Sequence, residues 1–413
     1  MQYGLIGEHL GHSYSREIHE QLADYRYELH ELSPDALGPF LTARDFRAIN
    51  VTIPYKQAVL PYLDEISATA RRIGAVNTIV NRDGLLYGDN TDFAGLKALL
   101  ERLGLCLQGK KVLILGTGGT SKTARAVAEA MGAGEILRVS RRTGQADTVT
   151  YAQALAAHTD AQILINTTPV GMYPQQDESP LCLDAFSRLE GVADAIYHPL
   201  RTNLVQQAQA RGIPAAGGLY MLAAQAAAAC AVFQGKAPSL SLAERAFSAV
   251  LREKQNVVLI GMPTSGKTTV GRRLAERSGR RFFDTDELLI ERFGCPIADY
   301  FAQNGEAAFR EQEQALIAVL AGESGCVIAT GGGAILREEN LRHLRQNGLL
   351  FFLDRSPEKL LAATDRPLSS DRDALLQRYH ERYDRYCAAA DRRIDANGTV
   401  EAVVGAIEKE LTV

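Results

Sequence analysis

One short run, residues 261–269 (GMPTSGKTT), limits the possible folds of this chain more than any other stretch. It follows the apolar residues 257–260 and precedes residues 270–277, which have helical spacing. A strand, a glycine-rich loop and a helix in this order are the context in which GxxxxGK[ST] predicts a phosphate-binding loop. Such a loop normally follows the first strand of its domain. We therefore expect one domain to begin here and the residues before it to form another.

The loop also predicts which groups would meet a nucleotide. Its backbone N–H groups would surround phosphates at the N-terminus of a helix. Lys267 would reach the β- and γ-phosphates, and the Thr268 hydroxyl would hold Mg²⁺. The predicted ATP-binding residues in this run are Gly261, Thr264, Ser265, Gly266, Lys267, Thr268 and Thr269.

Bulk properties narrow the class of protein. The 413 residues exceed one ordinary domain, and 46% hydrophobic with 23% charged residues is typical of a soluble globular protein. A net charge of −4 gives no reason to expect nucleic acid or an anionic membrane as a partner. The chain has no signal-peptide pattern and no apolar run long enough to span a membrane. Six scattered cysteines without metal spacing indicate a reducing compartment, so we expect a cytoplasmic protein.

Strand-like and helical stretches alternate along the chain, which predicts an α/β fold with parallel sheets covered by helices. Two sheets are expected. The first would contain residues 112–115, 136–139, 163–165 and 192–196, and the second 257–260, 327–329 and 349–353. Residues 221–233 and 241–254 have helical patterns. The predicted domains are 1–253 and 256–413, with almost no linker between them.

A second glycine-rich loop lies in the first domain. Gly116, Gly118 and Gly119 follow a predicted strand and open a predicted helix, although Ser121 breaks the strict GxGxxG pattern. The next strand ends in Ser140, followed by Arg141 and Arg142, where an NAD site would carry an acidic residue. Arginine suits a 2′-phosphate, so the pattern favours NADP. If both arginines are simply solvated, the choice of dinucleotide stays open.

Polar residues are dense in the first hundred positions. They are Ser13, Ser15, Asn50, Thr52, Lys56, Asn77, Thr78, Asn90, Thr91 and Asp92. Their hydroxyl, amide and charged groups suit a small polyhydroxylated acid. Each one alone is more often a turn or capping residue than a ligand.

The front of the chain, about residues 1–252, resembles shikimate dehydrogenases. The resemblance rests on motifs in the same order: GEHLGHSYS, NVTIPYK, GAVNT, NTDFAG, the glycine loop, NTTPVGM, DAIYHPLRT and GGLYMLAAQA. It implies NADPH-dependent reduction of 3-dehydroshikimate to shikimate, with Lys56 and Asp92 as the catalytic pair. It also implies two lobes, one for substrate (about 1–100 plus 219–253) and a Rossmann-type lobe for NADP (about 101–218).

The same resemblance assigns binding residues. It places Ser13, Ser15, Thr52, Asn77, Tyr197 and Gln225 at the substrate, and adds Thr167, Met172 and Gly218 to the NADP site. The run 167–172 would pass the nicotinamide. At position 16 the chain has Arg where the family usually has Pro, so preference for shikimate or quinate stays open.

In the second domain, residues 282–286 predict a strand that ends in two carboxylates, Asp284 and Asp286. Both would lie near the phosphates if this strand neighboured the P-loop strand. Phosphoryl transfer needs one carboxylate for metal and one for the acceptor hydroxyl. Exposed strand-end aspartates are also common without any function. The three glycines 331–333 suggest a backbone that approaches a ligand closely.

Residues 256–413 resemble shikimate kinase in the ordered motifs GxxxxGKT, DTD, GExxFRxxE, TGGG, RPL and a final helix with Arg382. The resemblance implies that shikimate is bound by Asp286, Arg310, Gly331, Gly332, Gly333 and Arg382. It implies that Thr268 and Asp284 organise Mg²⁺ and that Asp286 accepts the hydroxyl proton. Arg366, in a lid, would contact ATP and stabilise the transferring phosphoryl group. Residues 361–365 depart from the family, which often has an arginine there that stacks on adenine.

The sequence therefore predicts a bifunctional enzyme of the shikimate pathway: the first half makes a hydroxyl with NADPH, and the second phosphorylates it with ATP and Mg²⁺. Its expected partners are small molecules, 3-dehydroshikimate and shikimate, and its oligomeric state is left open. Two alternatives remain: the first half is a quinate/shikimate dehydrogenase, or the chain is a catalytically inactive sensor of these acids.

Overall fold

The computed structural model describes residues 1–11, 13–142, 147–362 and 369–411. The chain folds into two compact units, Met1–Leu251 and Arg252–Val413. In the described part of the chain, every helix is too short or too polar to cross a membrane. The two units are described separately below.

The first lobe of the first unit is built on a mixed six-stranded sheet. Its strands are β1 (Tyr3–Gly7), β2 (Tyr27–Glu31), β3 (Ala48–Val51), β4 (Glu65–Ile66), β5 (Thr78–Arg82) and β6 (Leu85–Asp89), in the order β2-β1-β3-β5-β6-β4. The pairs β1–β2, β1–β3 and β4–β6 are parallel, whereas β3–β5 and β5–β6 are antiparallel. Ile6, Ile49, Ile79 and Leu86 are fully buried and anchor its core.

The helices associated with this lobe come from both ends of the unit. They are α1 (Ser15–Leu22), α2 (Pro34–Ala43), α3 (Ala68–Ile73), α4 (Asp92–Arg102), α8 (Leu219–Gln234) and α9 (Leu240–Lys254). The alanine-rich α8 packs extensively on α4. A Cβ on Gly95 of α4 would lie 2.5 Å from the Met221 carbonyl oxygen and 2.8 Å from Gln225 Cβ. Only glycine permits this close approach, which places Gln225 beside the end of the sheet.

The second lobe has an all-parallel sheet. Its strands are β7 (Lys111–Leu115), β8 (Glu135–Ser140), β9 (Thr148–Thr150), β10 (Ile163–Asn166), β11 (Gly191–Asp194) and β12 (Ala215–Ala216), in the order β12-β11-β10-β7-β8-β9. The helices are α5 (Gly119–Ala130), α6 (Tyr151–Ala157) and α7 (Asn203–Ala210). The four strands predicted from sequence are confirmed, with one correction. The strand predicted to reach Ile196 ends at Asp194, because the Ile196 N–H donates to the Asp194 carboxyl instead of to a neighbouring strand.

The second unit contains a five-stranded parallel sheet. Its strands are β13 (Asn256–Ile260), β14 (Arg281–Asp284), β15 (Cys326–Ala329), β16 (Gly348–Asp354) and β17 (Arg392–Asp395), in the order β14-β15-β13-β16-β17. Its helices are α10 (Lys267–Ser278), α11 (Thr285–Phe293), α12 (Ile297–Leu320), α13 (Glu338–Asn347), α14 (Pro357–Ala362), α15 (Ser369–Ala389) and α16 (Val400–Leu411). The P-loop strand β13 is central and fully buried, as expected for a strand covered on both faces.

One sequence expectation about β14 is wrong: the strand does not carry both carboxylates, because it ends at Asp284 and Asp286 lies in the first turn of α11. The condition named for these carboxylates, a strand next to the P-loop strand, is not met, since β15 lies between β14 and β13. The carboxylates nevertheless reach the P-loop, because all these strands end at the same edge of the sheet.

Two candidate active sites

The first site is centred on an ion pair. Lys56 Nζ lies 2.6 Å from Asp92 Oδ2, with side-chain exposures of 18% and 10%. Lys56 is in the turn after β3, where its carbonyl accepts the N–H of Val76 at 2.8 Å. Asp92 begins α4. The structure therefore brings together the two residues that the resemblance names as a catalytic pair.

Asn90 fixes the turn that presents Asp92. Its Nδ2 donates to the Ala75 carbonyl at 2.9 Å, and its Oδ1 accepts the Phe93 N–H at 3.3 Å. The first contact ties the turn to the preceding loop, and the second caps the start of the helix. This is a local, structural use of one of the predicted polar residues.

Asn77 and Gln225 lie together next to this pair, as part of a buried amide and hydroxyl network. Asn77 Nδ2 lies 3.1 Å from Thr91 Oγ1 and 3.4 Å from Gln225 Oε1. Asn77 Oδ1 accepts the Thr91 N–H at 2.7 Å. Asn50 joins from β3, where its Nδ2 donates to the Asn77 carbonyl at 3.2 Å. These groups hold one another in fixed orientations, which suits recognition of a substrate hydroxyl.

Ser13 and Ser15 lie at the start of α1. The Ser15 N–H donates to Ser13 Oγ at 3.2 Å. In the part of the chain that the structure describes, no hydrogen bond joins either serine to the Lys56–Asp92 pair. Arg16, the departure from the family pattern, donates from Nε to the Tyr27 carbonyl at 3.2 Å. Its guanidinium thus ties α1 to β2.

Thr52 and Tyr197 complete the predicted substrate residues. Thr52 follows β3 directly, and its N–H donates to the Ile6 carbonyl at 2.9 Å. The Tyr197 ring lies 5.2 Å from the ring of Tyr14, the residue between the two serines. Burial, together with Tyr14 and Glu17, raises the pKa of Tyr197 to about 12, so its hydroxyl stays protonated.

The second lobe holds the glycine-rich loop at the carboxyl edge of its sheet. Gly116 follows β7 with φ 107°, a conformation that favours glycine. A Cβ there would lie 2.9 Å from Thr167 Oγ1, and that hydroxyl donates to the Leu115 carbonyl at 2.6 Å. At Gly118 and Gly119 an added Cβ would meet no atom within 4 Å. The loop therefore has open space at the N-terminus of α5, as a pyrophosphate site requires.

Residues predicted to select NADP lie at the end of the neighbouring strand. Ser140 is the last residue of β8, and its Oγ accepts the Arg142 N–H at 3.3 Å. Arg141 and Arg142 are exposed. Met172 is also exposed, whereas Gly218 is buried and a Cβ there would collide with the Ala195 backbone. Two exposed guanidinium groups beside the loop fit a 2′-phosphate.

In the second unit, Lys267 bends back over its own loop. Its Nζ donates to the carbonyl oxygens of Gly261 and Met262, both at 2.9 Å. The side chain is buried, and this burial lowers the pKa of Lys267 to about 8, although the charges of Asp286 and Asp284 oppose the shift. Gly266, with φ 94°, precedes it as the N-cap of α10.

Thr264, Ser265 and Thr269 lie in the same loop and the first helical turn. Thr264 has φ 64° and donates from Oγ1 to the Leu360 carbonyl at 3.2 Å. The Ser265 N–H donates to the Met262 carbonyl at 3.1 Å. Thr269 is exposed at the start of α10. Strand β13, this loop and helix α10 therefore follow one another as the P-loop motif predicts.

A pair of oxygens lies beside the P-loop lysine. Thr268 Oγ1 lies 2.7 Å from Asp284 Oδ2. Asp284 also caps α11, because its Oδ1 accepts the N–H groups of Asp286 at 3.0 Å and Glu287 at 3.3 Å. A hydroxyl and a carboxylate oxygen are the hard ligands that Mg²⁺ prefers, so this pair fits the metal that accompanies a nucleotide.

The three glycines after β15 allow three close approaches. A Cβ on Gly331 would lie 2.6 Å from Asp286 Oδ1, and one on Gly332 would lie 2.8 Å from Pro263 Cδ. A Cβ on Gly333 would overlap the Arg310 guanidinium. The glycines thus bring Asp286 and Arg310 against one short segment. Burial and then the charge of Asp284 raise the pKa of Asp286, which suits a group that accepts a proton.

Two arginines reach this segment from different helices. Arg310 on α12 pairs with Glu313 at 2.8 Å and with Glu306 at 3.1 Å. Arg382 on α15 donates from Nη1 to the Gly332 carbonyl at 3.1 Å. Both predicted carboxylate-binding arginines therefore lie near the glycines. Arg366 and residues 363–365 lie outside the described residues, and so does the predicted lid contact.

Sequence reasoning gave no role to three residues that hold these sites. Glu313 is almost fully buried, its pKa is raised by burial, and it orients Arg310. Tyr386 donates its hydroxyl to the Gly332 carbonyl at 2.5 Å. Asp194 is fully buried at the end of β11. Glu313 and Asp194 stand within motifs already quoted, so position in a motif was the available signal.

Comparisons with known proteins agree with this geometry. The family model "Shikimate dehydrogenase substrate binding domain" matches residues 5–79, and the model "Shikimate kinase" matches residues 263–412. The shikimate dehydrogenase (NADP(+)) of Geobacillus kaustophilus is 36% identical over 260 residues, which cover 58% of this chain and 94% of that protein.

Solved structures give the same result. Shikimate 5-dehydrogenase from Thermus thermophilus, in complex with NADP(H) and shikimate, has a TM-score of 0.54 and 32% identity, with 60% of this chain and 99% of that chain covered. Quinate dehydrogenase from Corynebacterium glutamicum, in complex with NAD, has a TM-score of 0.54 but only 26% identity, with 60% and 99% covered. The chain therefore belongs to the shikimate dehydrogenase family and carries a shikimate kinase domain in its second unit.

Proposed function

We propose that this chain catalyses two consecutive steps of the shikimate pathway: NADPH-dependent reduction of 3-dehydroshikimate to shikimate, then ATP-dependent phosphorylation of shikimate to shikimate 3-phosphate. The observation that carries the proposal is the geometry of two lysine sites, one per unit. Lys56 lies 2.6 Å from Asp92, and Lys267 lies in a P-loop beside the Thr268–Asp284 oxygen pair.

In the first reaction NADPH supplies the hydride. As the substrate ketone is reduced, negative charge develops on its oxygen, and the Lys56 ammonium is the group that would donate a proton to it. Asp92 accepts a hydrogen bond from the ammonium, which fixes the direction of the Lys56 side chain. The lysine and the carboxylate thus act as one unit.

Binding of the acid in the first site would use the surrounding polar groups. We propose that Asn77 and Gln225 contact the ring hydroxyls, because their amides already face one another at 3.4 Å. Ser13, Ser15 and Thr52 would hold the carboxylate end, and Tyr197 would close one side with a protonated hydroxyl. A polar site of this kind rejects analogues that lack a hydroxyl, since its buried groups would lose their partners.

In the second reaction ATP supplies the phosphoryl group; Thr268 and Asp284 would hold Mg²⁺, which would neutralise phosphate charge when bound. Asp286 is placed to take the proton from the attacking hydroxyl. Arg310 and Arg382 would bind the substrate carboxylate through charge-assisted hydrogen bonds. We keep Arg366 as the proposed lid contact to ATP on the strength of the resemblance alone.

We infer a preference for NADP because Arg141 and Arg142 are exposed at the end of β8, where a 2′-phosphate would lie. The rival assignment of the first unit is a quinate dehydrogenase. Ratios of kcat/KM for shikimate and quinate, each with NADP and NAD, distinguish the two. We expect shikimate with NADP to give the largest value.

Division of the first unit into a substrate lobe (about 1–100 plus 219–253) and an NADP lobe (about 101–218) is part of the proposal, supported by the two separate sheets. We also infer a cytoplasmic location. All six cysteines are free thiols, a state typical of a reducing compartment. The alternative of a catalytically inactive sensor has no support, because the residues proposed to react are present in both sites.

One assay tests the whole proposal. The purified full-length chain is given 3-dehydroshikimate, NADPH, ATP and Mg²⁺, and products are followed by mass. We expect shikimate 3-phosphate from the wild type, no reduction with Lys56→Ala, and accumulation of shikimate with Lys267→Ala. Failure of the wild type to form the phosphate ester would refute the proposal.

A further inference from the structure

The strand order of the second lobe places a crevice between two loops. From β7 the sheet extends to β8 and β9 on one side, and to β10, β11 and β12 on the other. In parallel α/β sheets, ligands bind outside the carboxyl ends of strands at such a reversal of order. The loops that flank it follow β7 (residues 116–119) and β10 (residues 167–172).

A buried carboxylate stands one strand away from this crevice. Asp194 ends β11 in register with Asn166, the last residue of β10. Its Oδ1 accepts Asn166 Nδ2 and the Ile196 N–H, both at 3.0 Å, and its Oδ2 accepts the Thr202 hydroxyl at 2.7 Å. Burial raises the pKa of Asp194 to about 7, and the groups that oppose the shift are these three neutral donors. Among the residues that the structure describes, no cation pairs with Asp194. A buried charge without such a partner is costly, so its retention calls for a reason.

Asp194 decides which way the Asn166 amide faces. Because Nδ2 is donated to the carboxylate, Oδ1 points to the loop, where it accepts the Thr168 N–H at 3.0 Å and the Thr168 hydroxyl at 2.7 Å. The Thr168 Oγ1 in turn accepts the Val170 N–H at 3.3 Å. An amide has one acceptor and one donor end, so a reversed Asn166 would present N–H groups to another N–H. The Asp194 carboxylate thus fixes the orientation of the Asn166 amide, and the amide in turn holds Thr168.

We propose that Asp194 is a positioning residue for the dehydrogenase reaction: through Asn166 it holds the turn at residues 167–170 in the form that binds the dinucleotide. This inference rests on the proposed dehydrogenase function. Thr167 of the same turn contacts the start of the glycine-rich loop through its hydroxyl bond to the Leu115 carbonyl at 2.6 Å. A change in the turn therefore acts on both walls of the crevice.

The first test places a carboxylate at position 166. In the Asn166→Asp variant, the new carboxylate would face the Asp194 carboxylate at the position where Asn166 Nδ2 now lies 3.0 Å from Asp194 Oδ1. We expect the Kd for NADP⁺ at pH 8, measured by calorimetry without the acid substrate, to rise at least tenfold together with the KM for NADP⁺, and the KM for shikimate to change less than twofold. Relative to the wild type at each pH, activity of this variant should recover between pH 8 and pH 6, since protonation of one carboxyl removes the repulsion. The double variant Asn166→Asp/Asp194→Asn should reverse at least half of the rise in the KM for NADP⁺, measured on a logarithmic scale.

The control is Gln162→Glu, the same amide-to-carboxylate change next to the opposite end of β10. Gln162 Oε1 accepts the Lys111 N–H at 2.9 Å, and a carboxylate can do the same. We expect its KM for NADP⁺ within twofold of the wild type. Kinase activity of the same molecules serves as an internal measure of concentration.

If Asn166→Asp does not fold, Thr168→Val provides a second test, because it removes the hydroxyl bonds to Asn166 and to the Val170 N–H and keeps the Thr168 N–H bond to Asn166. We expect a three- to tenfold rise in the KM for NADP⁺ with an unchanged KM for shikimate. Equal effects on both KM values, or a double variant no better than Asn166→Asp, would overturn the proposal. A wild type without dehydrogenase activity would instead contradict the proposed function itself.

Discussion

The two lysines at the centres of the candidate sites are held in opposite ways. Lys56 Nζ donates to a carboxylate, Asp92, at 2.6 Å, and part of its side chain is exposed. Lys267 Nζ donates to two main-chain carbonyls at 2.9 Å and is buried. One ammonium is neutralised by its partner, whereas the other is surrounded by dipoles.

This difference matches two kinds of chemistry. A lysine that must deliver a proton and regain it benefits from a carboxylate that keeps it oriented. A lysine that must meet the charge of phosphates is better left without a close anion, because the ligand then supplies the missing partner. The lowered pKa of Lys267, to about 8, is the cost of that arrangement in the absence of phosphate.

The largest effect we predict comes from changing Asp92, the carboxylate partner that Lys56 has and Lys267 lacks. Asp92→Asn keeps the shape of the side chain but removes the charge that orients Lys56. We expect the dehydrogenase kcat to fall by about 10²- to 10⁴-fold, the usual contribution of general acid–base groups. Kinase kcat, measured separately with added shikimate, should stay within twofold.

Glu101→Gln is the matched control for Asp92→Asn. Glu101 lies on the same helix, α4, and pairs with Lys97 at 3.4 Å on the surface. Exposed pairs of this kind contribute little, so dehydrogenase kcat should not change. An active Asp92→Asn enzyme would show that Lys56 works without its carboxylate and would remove the contrast between the lysines.

A smaller effect is predicted in the second site. Gly333→Ala would drive a Cβ into the Arg310 guanidinium and displace it from the position set by Glu313. Because a hydrogen bond to a charged group contributes about 1.5–3 kcal/mol, we expect the KM for shikimate in the kinase reaction to rise about 10- to 100-fold. The KM for ATP should change little. Kinetics with each substrate varied in turn measure both values.

Gly398→Ala is the control for Gly333→Ala. A Cβ at Gly398 would meet only the Ala402 Cβ, at an ordinary 3.5 Å. This variant should leave both KM values unchanged. If Gly333→Ala also binds shikimate normally, Arg310 does not contact the acid, and the site would depend on Lys267 and its metal pair alone.

Much of this arrangement was predictable from sequence because it is local. The strands β7, β10 and β13 are short apolar runs buried on both faces, and the two glycine-rich loops follow β7 and β13 directly. A buried parallel strand has no alternating polar face, so its pattern is easy to detect. The mixed sheet β1–β6 was not predicted as a third sheet. The short strands β9 and β12 and the polar edge strand β17 have no such pattern and were not predicted either.

Other features depend on contacts between distant parts of the chain. Asp286 was expected on a strand, but Asp284 caps α11 and ends the strand two residues earlier. Gln225 reaches Asn77 only because Gly95 lets two helices approach closely. The Asp194–Asn166 contact joins residues 28 positions apart. Residue patterns do not show such packing, so the site residues could be predicted from the sequence but their arrangement could not.

The smallest effect we predict concerns stability and uses the cost of burying Lys267. Below pH 8 this lysine is protonated in both the folded and the unfolded chain, so the folded state carries the full cost of a buried charge. Between pH 8 and 10.5 the folded state releases the proton while the unfolded state keeps it, so stability of the wild type rises with pH in this window. A shift of this size corresponds to an upper limit of about 3 kcal/mol.

Lys267→Met should therefore abolish kinase activity and yet stabilise the second unit at pH 7 by about 1–2 kcal/mol, because a buried charge is replaced by an apolar side chain of similar length. The gain should shrink as the pH approaches 10.5. Hydrogen exchange of peptides from β13 reports unfolding of this unit without interference from the other. Lys359→Met is the control, since this exposed lysine also donates to a main-chain carbonyl, that of Asn397. Lys359→Met should show no pH-dependent gain in stability. If Lys267→Met is less stable than the wild type at pH 7, the two carbonyls fully compensate the charge of Lys267. The P-loop lysine would then be as well satisfied as Lys56.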